Sequence, residues 1–189
     1  VAEGDITKVY WADLAPNPLL LAWLESEALP VNGRAVTIGC GLGDDAEAIA
    51  ARGFAVTAFD ISVSAIEMCR DRYPGSPVDY EVRDLFDLPP AWRRAFDVVY
   101  ECNTIQILRG EHRTRARDII AELVAPGGVA IVSCRSRESD EKLDDFPQPL
   151  DRDEIDGFRR AGLVEDRFVA YDDDQDPPVP HVFAVYRRP

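Results

Sequence analysis

The chain has 189 residues, of which 46% are hydrophobic and 30% are charged, a composition typical of one globular domain rather than a disordered segment. Its formal net charge of -14 at pH 7 disfavours nucleic acid and anionic membranes as partners, because both carry the same sign of charge. No apolar run approaches the ~20 residues that span a bilayer, and four widely spaced cysteines with two histidines give no metal-site pattern. We therefore expect a cytoplasmic, single-domain protein with reduced thiols and no bound metal.

The first predicted element is an amphipathic helix over residues 17–29. As part of a helical cap formed by residues 1–30, it would lie over the edge of a ligand site, or it would simply pack on the core, and the sequence leaves both interpretations open. Tyr10 and Trp11 precede this helix, and the two aromatic side chains suit either a lid or an acceptor wall, or ordinary packing. The remaining residues, 31–189, are expected to form the core of the same domain.

Three glycines within five positions follow the first predicted strand. Gly39, Gly41 and Gly43 lie between the apolar run 34–39 and a predicted helix over 44–52. Because glycine lacks a Cβ atom, its backbone adopts positive φ angles and a ligand can approach it closely. A strand, a glycine turn and a helix are typical of a nucleotide-type cofactor site, although a tight strand-to-helix turn alone also favours glycine.

Strand-like and helix-like segments alternate along the rest of the chain. The predicted strands are 34–39, 54–59, 78–83, 96–101, 128–134, 164–171 and 181–187, and the predicted helices after the glycine turn are 44–52, 62–73, 112–124 and 152–161. This alternation predicts an α/β fold with a doubly wound, mostly parallel sheet of about seven strands and helices on both faces. The last two strands are joined by the acidic, proline-rich connector 172–180 without a helix, so we expect them to form an antiparallel hairpin.

The glycine pattern departs from the dinucleotide-binding fingerprint. G-x-G-x-x-G places its third glycine where the helix meets the strand, and here that position is Asp44. An acidic side chain in the first helical turn repels a pyrophosphate but tolerates a ligand with positive charge. An NAD-dependent oxidoreductase therefore remains only an alternative.

The turn and the residues after it resemble the Rossmann-like, class I S-adenosylmethionine-dependent methyltransferases, whose first motif ends in a GxGxG turn. The resemblance extends from Arg34 to the terminal hairpin. It implies that Gly39, Cys40, Gly41 and Gly43 bind S-adenosylmethionine, and it implies no metal.

Two acidic residues at the ends of the next strands belong to the same resemblance. In the family, the carboxylate at the position of Asp60 binds the ribose hydroxyls, because its two oxygens can accept from two donors, and Ile61 follows it. The alternative for Asp60 is a cap of the following helix. At the position of Asp84 the family's acid accepts from the adenine amino group and the next residue, Leu85, lies against the ring; the alternative is an ordinary loop acid.

The fourth predicted strand ends where the transferable methyl group faces its acceptor in the family. Glu101 is the candidate general base, because an acid at the carboxyl end of a strand points into the ligand crevice of an open α/β sheet. It would equally bind the methionine ammonium group or a cationic acceptor, and a structural role is also open. The resemblance assigns Asn103 and Thr104 to the acceptor side.

The segment 146–150, with Tyr10 and Trp11, looks most like the small-molecule branch of the family that includes thiopurine and halide or thiol methyltransferases. The implied reaction is in-line transfer of a methyl group to sulfur, oxygen or nitrogen of a small molecule, with S-adenosylhomocysteine as product. Positioning of the reactants is worth up to ~7–11 kcal/mol in such a displacement, so no catalytic triad is required. A protein that binds S-adenosylmethionine or S-adenosylhomocysteine without turnover is the remaining alternative.

Overall fold

A computed structural model describes residues 14–27, 32–140 and 147–189. The strands in these ranges are β1 (Arg34–Ile38), β2 (Ala55–Asp60), β3 (Asp79–Val82), β4 (Phe96–Cys102), β5 (Val124–Arg135), β6 (Val164–Asp172) and β7 (Pro180–Arg187). The α-helices are α1 (Pro18–Ser26), α2 (Asp44–Ala51), α3 (Val63–Arg72), α4 (Gly110–Leu123), α5 (Arg152–Ile155) and α6 (Gly157–Arg160). Among the described helices, none is both long and apolar enough to cross a membrane.

The seven strands form one sheet in the order β3-β2-β1-β4-β5-β7-β6. Strand β2 is parallel to both β1 and β3, and β4 is parallel to β5. Strand β7 is antiparallel to β5 and to β6. The predicted Rossmann-like α/β sheet, mostly parallel with a C-terminal antiparallel hairpin, is therefore confirmed.

The chain divides into two compact units, residues 1–88 and 89–189. In the first unit, four of the five residues of β1 are buried, as expected for a parallel strand covered on both faces. Helix α2 buries Ala46 and Ile49, and α3 buries Ile66 and Cys69. These buried side chains pack the two helices against β1 and β2, so the turn after β1 begins from a well-supported strand.

The predicted first helix is present as α1. The Asn17 side chain accepts hydrogen bonds from the backbone N–H groups of Leu19 and Leu20, which caps the helix. Trp23 and Leu24 are buried. The backbone N–H of Asn17 also donates to the Asp45 carboxylate at 2.7 Å, so α1 is tied to the first turn of α2.

In the second unit, β5 begins at Val124, four residues before the predicted start. The predicted helix ended at 124 and the predicted strand began at 128, but the glycine-rich segment between them belongs to the strand, with a register irregularity against β4. A Cβ atom at Gly128 would lie 2.9 Å from the carbonyl oxygens of Phe96 and Asp97, so only glycine allows this close approach.

The helix predicted over 152–161 is two short helices, α5 and α6, on either side of Asp156. Its predicted start is confirmed, since Asp151 and Glu154 form a reciprocal capping box. A Cβ atom at Gly157 would collide with the Arg117 side chain, so the chain passes close to α4 at the junction of the two helices.

Candidate functional site

The turn after β1 has left-handed backbone at every second residue. The φ angles of Gly39, Gly41 and Gly43 are 58°, 53° and 89°. Other residue types adopt this region only with strain, which explains why the sequence places glycine at these positions. The Gly43 N–H donates to the Cys40 carbonyl at 2.9 Å, and α2 starts directly after Gly43. The predicted strand, glycine turn and helix are thus present.

Asp60 connects the end of β2 to this turn. Its Oδ2 accepts from the Gly41 N–H at 3.1 Å, and its Oδ1 accepts from the Ser62 N–H at 2.9 Å. The cap of α3 is the Ser62 side chain, which accepts from the Ala65 N–H at 3.3 Å. Each carboxylate oxygen of Asp60 has a second lone pair that can accept from a ligand hydroxyl.

Apolar side chains are exposed at the carboxyl ends of β2 and β3. Ile61 is 72% exposed and Val82 is 46% exposed, and Val82 pairs in register with Asp60. Leu85 is buried, whereas Asp84 is exposed and accepts from the Phe86 N–H at 2.8 Å. The structure therefore gives Asp84 a local turn contact and leaves its predicted adenine contact a prediction.

These features fit the cofactor that the resemblance implies. The turn lacks Cβ atoms at three positions, a carboxylate stands at the end of the neighbouring strand, and an exposed isoleucine follows that carboxylate. The carboxylate can accept hydrogen bonds from ligand hydroxyl groups, and the Ile61 side chain can pack against a flat apolar ring. The turn allows part of a ligand to approach the backbone closely. If the cofactor binds here, Gly39, Gly41, Gly43, Asp60 and Ile61 would hold it.

Asp44 is paired with a cation, contrary to the sequence argument that treated its charge as uncompensated. Both its oxygens accept from the Arg72 guanidinium, at 2.7 and 2.8 Å, and Oδ1 also accepts from the Tyr73 hydroxyl at 2.8 Å. Burial alone would raise the pKa of Asp44, but the hydrogen bonds from Arg72 and Tyr73 outweigh it and lower the pKa. Asp44 is therefore an anchored, ionised carboxylate.

Cys40, which is part of the turn, and Cys69, on α3, have neighbouring thiol groups. The Cys69 thiol donates to the Gly41 carbonyl at 3.2 Å, and a hydrogen bond with Cys69 together with burial raises the pKa of the Cys40 thiol. Both cysteines are reduced rather than disulfide-bonded, as are Cys102 and Cys134. A thiol whose pKa is raised is a poor nucleophile at neutral pH, so the Cys40 thiol is not expected to react with the cofactor.

In the second unit, Glu101 is the last residue but one of β4 and is fully buried. Its Oε2 accepts from the N–H groups of Thr104 and Ile105 at 3.0 and 3.1 Å, at the start of the 3-10 helix Ile105–Ile107. Its Oε1 is buried without a hydrogen-bond partner among the residues that the structure describes. Burial raises the pKa of Glu101 to about 8, and the two backbone N–H groups limit the rise.

The other residues on and beside the predicted acceptor side differ in exposure and in hydrogen bonding. Asn103 is exposed with a φ of 61°, and its N–H donates to the Ser133 carbonyl at 2.8 Å, while Thr104 is half-buried. Gln106, at the end of the same segment, is buried, and its side-chain oxygen accepts from the Arg135 N–H at 2.8 Å. Tyr10 and Trp11 lie outside the described residues. Within the described ranges, no group of three or more His, Cys, Asp or Glu residues is arranged to hold a metal ion.

The side chains that support the glycine turn from α3 and β3 were not among the predicted site residues. Arg72 donates to the Leu42 carbonyl at 2.6 Å as well as to Asp44, and a Cβ atom at Gly43 would lie 2.5 Å from the Tyr80 hydroxyl. No spacing rule connects Arg72 to Asp44 across 28 residues. The one available signal was that Arg72 and Tyr73 are the last two residues of the predicted helix 62–73, directly before Pro74, a residue type that ends helices.

Comparisons with known proteins agree with this geometry. Residues 35–128 match the family model described as a methyltransferase domain. The chain is 33% identical over 132 residues to the ubiquinone biosynthesis O-methyltransferase of Thiobacillus denitrificans, which covers 67% of this chain and 55% of that protein. It is 30% identical over 141 residues to thiocyanate methyltransferase 1 of Brassica oleracea, with 69% and 61% covered. The chain thus spans little more than half the length of these relatives.

A solved structure with the same fold holds the product of the cofactor. The 1,6-didemethyltoxoflavin-N1-methyltransferase of Burkholderia thailandensis, bound to S-adenosylhomocysteine, superposes with a TM-score of 0.77 at 17% identity and covers 95% of this chain and 80% of its own. Together with the family match, the GxGxG turn and the sheet order, the likeness in sequence and fold leads to one assignment. The chain belongs to the class I, Rossmann-like S-adenosylmethionine-dependent methyltransferases.

Proposed function

We propose that this protein transfers the methyl group of S-adenosylmethionine to a sulfur, oxygen or nitrogen atom of a small-molecule acceptor. The observation that carries the proposal is the left-handed glycine turn whose Gly41 N–H is held by Asp60. The relatives support the acceptor class, since their names specify an O-methyltransferase, a thiocyanate methyltransferase and an N1-methyltransferase. When bound, S-adenosylmethionine supplies an electrophilic methyl group.

The first unit contributes the cofactor residues in this proposal. The glycine turn with Cys40 admits the cofactor close to the backbone, and Asp60 accepts from the ribose hydroxyls with its free lone pairs. Ile61 lies against the adenine ring with its exposed side chain. Asp84 accepts from the adenine amino group, and Leu85 completes the apolar support.

Glu101 has a proton-dependent role in this proposal. With a pKa of about 8, its carboxyl group is mostly protonated at pH 7. The protonated carboxyl group then donates a hydrogen bond to the acceptor molecule, and Glu101 becomes a general base only as the pH rises through 8. A thiol acceptor reacts as a thiolate without a base, so a thiol would use Glu101 less than a hydroxyl would.

The acceptor side rests on the resemblance. Asn103 and Thr104 are proposed to line it, with Tyr10 and Trp11 as a lid or wall carried by the cap of residues 1–30. The thiol or thiopurine branch is the finer proposal, and the similarity to a thiocyanate methyltransferase supports it. No observation favours the NAD-dependent alternative.

The test is methyl transfer from labelled S-adenosylmethionine to a panel of thiol, phenol and amine acceptors. We expect at least one class to yield labelled product and an equal amount of S-adenosylhomocysteine, with Asp60→Asn as a variant of reduced turnover. Binding of S-adenosylhomocysteine without turnover on any acceptor class would favour the non-catalytic alternative. Activity restricted to thiols would support the thiol branch.

A further inference from the structure

We propose that Arg72 is a positioning residue of the cofactor site, and that with Cys69 and Tyr73 it holds the glycine turn in its binding conformation. We call these three side chains the α3 clamp. The clamp rests on the proposed function, because its effect is on the binding of S-adenosylmethionine and S-adenosylhomocysteine.

The clamp residues share one face of the end of α3. Cys69, Arg72 and Tyr73 are spaced i, i+3 and i+4, which places their side chains side by side on a helix. Tyr73 is the C-cap residue and follows directly on the last helical turn. A single helix face therefore presents a thiol, a guanidinium and a phenol to the same neighbour.

That neighbour is the turn itself. The Cys69 thiol donates to the Gly41 carbonyl at 3.2 Å, and the Arg72 guanidinium donates to the Leu42 carbonyl at 2.6 Å. Arg72 also binds both oxygens of Asp44, and the Tyr73 hydroxyl donates to one of them. Three of the four residues from 41 to 44 are thus hydrogen-bonded to the clamp.

The Arg72–Asp44 pair is placed to be effective. The two side chains are only 18% and 15% exposed, and the contact is bidentate. Charge-assisted bidentate bonds are stronger and more directional than neutral ones, and partial burial limits their screening by salt. Asp44 lies in the first turn of α2, and Arg72 compensates the charge of its ionised carboxylate. The glycine turn is therefore anchored without an uncompensated charge.

A turn with three left-handed glycines needs such support to bind tightly. Glycine gives the backbone more accessible conformations than any other residue, so an unsupported turn must be ordered at the moment of binding. The clamp removes that cost in advance by fixing the carbonyls of Gly41 and Leu42. Its loss is expected to weaken cofactor binding while the sheet, which is built from other contacts, stays folded.

Calorimetric titration with S-adenosylhomocysteine tests the clamp. We expect Arg72→Gln to raise the Kd about 10-fold, the change expected when only about one-tenth of the variant molecules hold the turn in its binding conformation. Asp44→Asn should raise it comparably, and the double variant should be little worse than either single one, because both remove the same contact. Arg72→Lys should recover only part of the affinity, since lysine keeps the charge but not the two-pronged geometry.

The matched control is Arg137→Gln. Arg137 forms a similarly shielded ion pair with Asp151 at 2.9 Å, with side chains 9% and 14% exposed, in the other compact unit. It should lower the melting temperature and leave the Kd unchanged. Each titration is done at a temperature where circular dichroism shows the variant folded; if Arg72→Gln does not fold, Tyr73→Phe, which removes one hydroxyl, and Arg72→Lys carry the test.

The outcomes separate the two proposals. Wild-type protein that binds S-adenosylhomocysteine while Arg72→Gln binds it equally well overturns the clamp alone. Equal loss of affinity in Arg72→Gln and Arg137→Gln also overturns it, because the effect would then be general destabilisation. Wild-type protein that binds neither S-adenosylmethionine nor S-adenosylhomocysteine overturns the proposed function and the clamp with it.

Discussion

Replacement of Glu101 by glutamine should stabilise the protein at alkaline pH relative to the wild type. Glu101 is fully buried and its pKa is raised from 4.5 to about 8 by burial. Below pH 4.5 the carboxyl group is protonated in both the folded and the unfolded chain. Between pH 4.5 and 8 the unfolded chain releases the proton and the folded chain retains it, so the free energy of unfolding falls as the pH rises.

The size of the effect follows from the two pKa values. Glutamine does not titrate, and its carbonyl can still accept from the N–H groups of Thr104 and Ile105. The free energy of unfolding of Glu101→Gln minus that of the wild type should therefore increase by about 3 kcal/mol between pH 6 and pH 9. The difference between the two proteins isolates Glu101, because every other group titrates in both.

Urea unfolding of both proteins at several pH values from 6 to 9 measures this difference. Glu122→Gln is the control: hydrogen bonding to Arg93 lowers the pKa of Glu122, so this carboxylate is ionised throughout that range. Its difference from the wild type should not change with pH. Parallel pH curves for the wild type and Glu101→Gln would refute the argument that Glu101 is buried with a raised pKa.

Two further substitutions test local geometry. Gly43→Ala should lower the free energy of unfolding, measured by thermal unfolding, by about 1–3 kcal/mol, because the backbone is left-handed and the new Cβ would meet the Tyr80 hydroxyl. Gly53→Ala, with a similar φ of 91° and open space around it, should cost less. Equal losses would show that the contact with Tyr80 adds nothing. Asp151→Ala should lower the free energy of unfolding by at least about 1 kcal/mol, because it removes both the capping box and the ion pair with Arg137; an unchanged midpoint of chemical denaturation would show that neither contact contributes.

The sequence allowed prediction of features that depend on local patterns. The alternation of apolar runs, the glycines at 39, 41 and 43, and the start of a helix at 152 each involve residues close together in the chain, and the structure has all of them. The start of β5 was missed because 126–128 has the composition of a turn. Its backbone hydrogen bonds with Arg188, about 60 residues away, help to keep this segment in the sheet, and a local pattern does not contain them.

The environment of charged residues was harder to predict. Glu101 was expected at the carboxyl end of a strand, but its full burial and its two backbone N–H donors from the segment that follows were not predicted. Asp44 was treated as an exposed negative charge, and its partner lies 28 residues away on α3. In both cases the charge of the residue was plain from its type, whereas its compensation depends on tertiary contacts that no local pattern contains.

Calorimetric titration of the wild-type protein with S-adenosylmethionine, S-adenosylhomocysteine and NAD is the most direct test of the central claim. Asp60→Ala should be titrated beside it, because Asp60 both holds the Gly41 N–H and faces the ligand in the proposed site. We expect micromolar binding of the two adenosyl sulfur compounds, no binding of NAD, and loss of binding in Asp60→Ala. Binding of NAD alone, or equal binding of S-adenosylhomocysteine by both proteins, would contradict this account of the glycine turn.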